Sequence, residues 1–244
     1  MTTTPTDVLR DLAPNGTLRA AINFGNTVLA QQDPATGEPR GISADLAREL
    51  ARRLGVDIEF VTFDTAGKVF DALSSNAWDI AFLAIDPVRA AGISFTAPYV
   101  IIEGTYLVPD QSALKTIADF DHEGIRIAVG KGAAYDLYLT RALKKAQLVR
   151  AASSAAALEL FVADKLEAAA GVRQPLVQFA KTRPGLRVID GRFTAIEQAM
   201  GTPKGREAGA AYLRSFVEEM KASGFVANGL SRSGQNEATV APAA

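Results

Sequence analysis

The run Ile80-Ala81-Phe82-Leu83-Ala84-Ile85 carries no charge and stops abruptly at Asp86-Pro87. Such a run predicts a buried strand, and an N-cap residue followed by proline at the first helical position predicts a short helical turn after it. Arg89 falls in that turn, close to the exit of a central strand, which is where open α/β sheets bind ligands. A guanidinium placed there can grip a carboxylate through two parallel hydrogen bonds. On spacing alone, an ordinary surface arginine is the competing reading.

The chain on either side alternates strand and helix patterns. Residues 18–24 predict a first strand ending in Gly25-Asn26, so Asn23 and Asn26 lie at its exit. The polar stretch 31–40, with Asp33-Pro34 and Thr36-Gly37, predicts a hairpin or short excursion. Ser43 is expected to cap a helix with Leu46, Ala47, Leu50, Ala51 and Leu54 on one face and Gly55 as its stop. Residues 56–63 alternate as a strand, and Asp64 or Thr65 starts a second helix through Val69, Phe70 and Leu73. Two strand-helix-strand units in succession imply a parallel sheet. Residues 100–108 read as a strand leaving the first lobe, closed by Pro109-Asp110.

A second α/β series begins at 125–129, followed by the loop Gly130-Lys131-Gly132-Ala133-Ala134-Tyr135 and a helix over 136–145. Tyr135 stands where a dinucleotide fingerprint needs its third glycine, so no nucleotide cofactor is implied. Backbone N–H groups at that helix start favour an anion of any kind. Helices over 153–162 and 174–181 and strands over 166–172 and 186–189 continue the lobe. Residues 193–200 return the chain, and 204–223 form an amphipathic helix with Tyr212, Phe216 and Met220 on one face. The segment 235–244 reads as a frayed tail. The expected division is 1–106 plus 196–244 for lobe 1 and 107–195 for lobe 2.

Three segments carry a family resemblance. Ile80 to Arg89 followed by Ile93-Ser94-Phe95-Thr96-Ala97-Pro98-Tyr99 resembles the pattern of a buried strand, T-x-x-x-R and D-F-[ST]-x-P-Y. Gly41-Ile42-Ser43-Ala44-Asp45-Leu46 resembles G-[FY]-x-x-D-[LI], and Gly224-Phe225-Val226 onward resembles a terminal G-x-[YF] element. These are motifs of the family 3 extracellular solute-binding proteins, the polar amino acid binders of ABC importers. The resemblance implies a periplasmic-binding-protein-like type II α/β fold, with two lobes, a hinge and an interlobe cleft. It also implies a carboxylate-bearing ligand held by Arg89, a membrane permease as partner, and a monomer. The loop Lys131, Ala133, Ala134 and Tyr135 would complete the carboxylate cage.

Several positions depart from that pattern. The usual G-x-T before the arginine is Phe82-Leu83-Ala84, the first-loop acid is Asn23, and the stacking aromatic is replaced by Ala66. The aspartate that holds a ligand ammonium in the family falls on Val172, or in a neighbouring frame on Arg173. Unless an acid such as Glu103, Glu167 or Glu197 supplies the charge, a carboxylate is retained and the ammonium site lost, which favours an amino-acid-like organic acid.

Composition excludes some alternatives. The 26 basic and 27 acidic residues nearly cancel, so neither nucleic acid nor a membrane surface is an expected partner. Cysteine is absent and His122 is the single histidine, placed in a turn before a strand. Neither metal nor thiol chemistry is therefore expected. Dehydratases acting on prephenate-like acids share the scaffold, which leaves an enzyme with Glu103 or Glu197 as general acid as a second reading. A cytoplasmic sensor module is a third. The start Met1-Thr2-Thr3-Thr4-Pro5 shows neither a basic region nor an apolar one, so a periplasmic location requires a leader already removed.

Overall fold

All five residues of Ile80–Ala84 are buried in the computed structural model, which describes residues 5–244. The chain forms two units, Met1–Ile101 with Glu197–Ala244, and Ile102–Ile196. The first contains α1 (Thr6–Leu12), β1 (Thr17–Asn23), a hairpin of β2 (Gln31–Gln32) and β3 (Pro39–Arg40), α2 (Ile42–Leu54), β4 (Asp57–Phe63), α3 (Ala66–Asp71), β5 (Ile80–Ala84) and α4 (Pro87–Ala90). Strand β6 (Ile93–Pro109) passes into the second, which holds β7 (Arg126–Gly130), α5 (Ala134–Ala142), β8 (Gln147–Ala151), α6 (Ser154–Ala163), β9 (Ala168–Val172), α7 (Arg173–Thr182) and β10 (Leu186–Val188). Strand β11 (Thr194–Pro203) returns to the first unit, completed by α8 (Glu207–Ala222), α9 (Phe225–Arg232) and β12 (Thr239–Val240).

In the first unit β5 lies between parallel β1, paired Ala20↔Ile80 and Ala21↔Ala81, and antiparallel β11, paired Gln198↔Ala84 through Gly201↔Ala81. Strand β4 runs parallel to β1 on its other side, from Thr17↔Asp57 to Asn23↔Phe63. Because side chains alternate along a strand, Ala81 and Leu83 share one face of β5 and pack with Val69, Trp78 and Ile93. The Trp78 Nε1–H donates to the Val69 carbonyl at 2.9 Å, so the indole is buried without losing its hydrogen bond. On the opposite face Phe82 meets Tyr99 edge-on, 6.1 Å between centroids, and the Tyr99 hydroxyl pairs with Ser43 Oγ at 3.1 Å.

Asp79, immediately before β5, is fully buried and held by two arginines. Arg19 grips it with Nε at 2.9 Å and Nη2 at 2.9 Å, and Arg206 reaches Oδ1 at 2.7 Å. The same arginines donate to Asn76 and to the Asp11 carbonyl, so β1, the β5 approach, the end of α1 and the start of α8 are pinned at one point.

In the second unit β9 sits between β6, antiparallel from Gly104↔Val172 to Leu107↔Ala169, and parallel β7. Strand β8 runs parallel to β7, and β10 pairs with β6. Leu107, Ala128, Ala157, Phe161, Leu166, Ala169 and Leu176 form its core.

Local expectations hold where a single side chain decides them. Asp86 Oδ1 accepts from Val88 N–H at 2.9 Å with Pro87 as first helical residue, and Gly55 ends α2 at φ 70°. Others are corrected. Gly41, at φ 97°, and not Ser43, precedes α2, and Ser43 is a buried helical residue. An added Cβ at Gly41 would come within 2.7 Å of the Leu29 carbonyl oxygen, so the approach to the helix requires glycine. Helix α5 begins at Ala134, which places Tyr135 inside it and not in the loop. The buried stripe of α8 runs through Leu213, with Tyr212 only half-buried. Strand β6 begins at Ile93, earlier than expected, and β8 was not foreseen.

The tail differs most. Thr239 and Val240 pair with Ile101 and Val100, Ala241 is buried with its N–H on the Tyr99 carbonyl, and Lys221 donates to the Pro242 carbonyl. A chain ending at Gln235 is therefore expected to lose about 1–3 kcal/mol of unfolding free energy in urea titration, from the ladder bonds and apolar burial removed. Asp79→Ala is expected to cost more, about 3 kcal/mol or above, because two guanidiniums lose the carboxylate they share.

Candidate functional site

In the first unit the site is built at the exit of β5. The Arg89 side chain, on α4, is only 1 % exposed and sends Nη1 to the Ala84 carbonyl at 3.0 Å. Burial pushes the guanidinium down to about 10, opposed by the charge of Asp86. It therefore remains a cation at neutral pH. Asp86 is itself buried, and it caps the turn that carries Arg89.

Asn23 and Asn26 lie at the end of β1. Asn23 Oδ1 accepts from the Gly25 N–H at 2.9 Å, and a Cβ at Gly25 would stand 2.5 Å from the Asp64 carbonyl oxygen. The Asn26 carbonyl takes the Leu29 and Ala30 N–H groups, whereas its side-chain Oδ1 is buried without a partner. A buried acceptor left unsatisfied costs about 1–3 kcal/mol, so a donor from a ligand or water belongs there. The side chains of Phe82 and Ala84 are buried in this unit, as is that of Arg89.

In the second unit the β7–α5 connection is shaped by close backbone approach. A Cβ at Gly130 would lie 2.7 Å from Ser154 N, and Gly132 adopts φ 73°. Lys131 is exposed and donates its N–H to the Ala151 carbonyl; Ala133, the N-cap of α5, offers no side-chain cap. The unit brings its own anion to this end. Asp136 Oδ2 accepts from Gly132 N–H at 2.9 Å, and its Oδ1 takes Arg150 Nε at 2.9 Å. Tyr135 is buried, and its hydroxyl donates to Ser154 Oγ at 2.8 Å.

Arg173 opens α7 directly after β9. Its Nε donates to Glu103 Oε2 at 2.7 Å, Nη1 to the Ile189 carbonyl at 3.4 Å and Nη2 to the Gly191 carbonyl. Arg192 Nη1 takes the other oxygen of Glu103 at 3.3 Å. Thr105 Oγ1 also donates to the Ile189 and Gly191 carbonyls. The sequence reading did not foresee this network. Its one visible signal was Glu103 and Thr105 two apart in an otherwise apolar strand, which places both on one face. Both Glu103 oxygens act as acceptors, which is not the arrangement of a proton donor, and the Glu197 side chain is exposed while its carbonyl accepts from Ile85 N–H.

Among the described residues no helix is long and apolar enough to cross a membrane. Residues 29–232 match the family described as bacterial extracellular solute-binding proteins, family 3. The glutamine-binding protein of Geobacillus stearothermophilus is 21% identical over 208 residues, covering 83% of this chain and 79% of that protein. A mutant of the ArgBP of T. maritima superposes with a TM-score of 0.79 at 21% identity, over 93% of this chain and 99% of the other. An ancestral amino acid-binding protein, a precursor of cyclohexadienyl dehydratase, gives 0.76 at 24% identity over 92% and 98%. The fold is that of the type II periplasmic binding proteins.

The dual role of Asp86 can be separated by mutation. Asp86→Ala removes both cap and charge, and Asp86→Asn keeps a capping oxygen while removing the anion beside Arg89. Both are expected to lose about 1 kcal/mol or more in urea unfolding at neutral pH. An Asp86→Asn protein as stable as the parent would leave the cap as the only contribution.

Proposed function

Since the chain belongs to the bacterial extracellular solute-binding proteins, family 3, we propose that it binds a small carboxylate-bearing solute and delivers it to the membrane permease of an ABC importer. The observation that carries this reading is Arg89, a guanidinium 1 % exposed, cationic at neutral pH, and fixed in the turn that follows the central strand of its unit. A planar guanidinium with parallel N–H groups suits a ligand carboxylate, and Arg89 stands where the family resemblance puts the carboxylate anchor. Asn26 Oδ1 would accept from a donor on the same ligand.

The solute is an amino acid or an amino-acid-like organic acid, and the residues present favour the second. Relatives named for glutamine and other amino acids support the general class. Valine at 172, arginine at 173 and alanine at 84 stand against recognition of an ammonium group, which needs acceptors or a negative charge. The protein acts as a receptor outside the cytoplasmic membrane and transforms nothing.

Calorimetry with L-amino acids, their 2-oxo and 2-hydroxy counterparts and aromatic carboxylates tests this directly. Arg89→Ala is expected to weaken the preferred ligand ~30-fold or more, about 2–5 kcal/mol, and Arg89→Lys to restore only part of it. Ligand recovered unchanged after long incubation with the protein would agree with a receptor, and its consumption would not. The proton dependence has a definite sign: binding needs the charged guanidinium, so affinity is expected to be flat between about pH 6 and 9 and to fall above about pH 10, as Arg89 loses its proton.

A further inference from the structure

Residues 235–244, which composition alone reads as a frayed tail, fold back onto β6. They lie beyond residue 232, where the match to the family ends. After α9 the Gln235 N–H donates to the Leu230 carbonyl at 2.9 Å, and the chain then lays β12 beside β6 with Thr239 opposite Ile101 and Val240 opposite Val100. The place of that pairing is specific. Strand β6 leaves the first unit between Ile101 and Ile102, so β12 covers the last two residues before the crossing. The ladder with β9 begins at Gly104, beyond it. Only Ile102 and Glu103 separate the two ladders along β6.

The tail is fastened by more than two paired residues. Ala241 is buried and donates its N–H to the Tyr99 carbonyl at 3.1 Å. Lys221 on α8, with its side chain 5% exposed, donates Nζ to the Pro242 carbonyl at 2.7 Å and to the Pro98 carbonyl at 3.3 Å, and pairs with Glu218 at 2.7 Å. One ammonium group therefore joins the tail, the covered stretch of β6 and the helix that carries it. Releasing the tail would strip that nearly buried cation of an acceptor, which opposes fraying. The Ala244 N–H adds a bond to Glu218 at 3.3 Å. A strand segment held by this many bonds opens less readily than one held by few, because local opening must break them together.

We propose that β12 is a brace on the connection between the two units, stiffening β6 up to Ile101 and confining its bending to Ile102 and Glu103. The inference depends neither on Arg89 nor on the identity of the solute.

The chain has no cysteine, so Asp57→Cys in the first unit and Lys181→Cys in the second, both at exposed positions, accept nitroxide labels without background. Pulsed dipolar spectroscopy then reads the spread of distances between the units, and amide hydrogen exchange reads β6 itself. In a chain ending at Gln235, exchange over 99–101 is expected to quicken about tenfold or more while 105–107, paired with β9, stay unchanged, and the distance distribution is expected to broaden. Lys221→Met keeps the tail and removes only the ammonium, and it is expected to move both readouts the same way by a smaller amount. Thermal melting checks that the shortened chain is folded; if it is not, Lys221→Met carries the test. Faster exchange with an unchanged distance distribution would reduce β12 to a local cover and overturn the inference. Exchange over 99–101 unaltered by removal of the tail overturns it as well.

Discussion

The buried carboxylate of Asp79 fixes the unit that carries Arg89. With Arg19 on one side and Arg206 on the other, it ties β1, the approach to β5, the end of α1 and the start of α8 together. A charge with no solvent exposure is tolerated only because its oxygens are filled by guanidinium and backbone N–H donors. That arrangement sets where β5 begins. Five buried residues later the strand ends, and Asp86 starts the turn that presents Arg89. The position of the proposed ligand anchor thus follows from a salt-bridge cluster at the other end of the strand.

The two buried charges of this unit differ in how they are compensated. Asp79 is surrounded by two arginines brought from distant parts of the chain. Arg89 has the Ala84 carbonyl and the nearby charge of Asp86, and burial still pushes it well below the usual arginine range. The first joins four segments of the unit, and the second sits in the short turn that follows β5. Stability measured with and without ligand should differ, since a ligand that binds only the folded state adds its binding free energy to unfolding.

What could be read from the sequence was whatever neighbouring residues decide. The Asp86-Pro87 turn and the Gly55 stop are each settled within a few positions, and the structure has them where expected. The C-terminal strand was not legible, because Thr239 and Val240 acquire their conformation from Ile101 and Val100, far away in sequence. Strand β8 is likewise defined by pairing with β7 more than by any pattern in Gln147–Ala151. In the candidate site, Arg89 could be located because a strand and a cap place it. The bonds of Arg173 could not, since their acceptors are a strand residue and two carbonyls reached only after folding.

The central claim is that Arg89 holds a carboxylate, and a crystal structure of the protein purified with its own ligand tests it most directly. The account predicts ligand density with two oxygens of one carboxylate within about 3 Å of the Arg89 guanidinium nitrogens, in a parallel bidentate arrangement. A ligand bound with no anionic group near Arg89, or with its carboxylate held entirely by other residues, would contradict it.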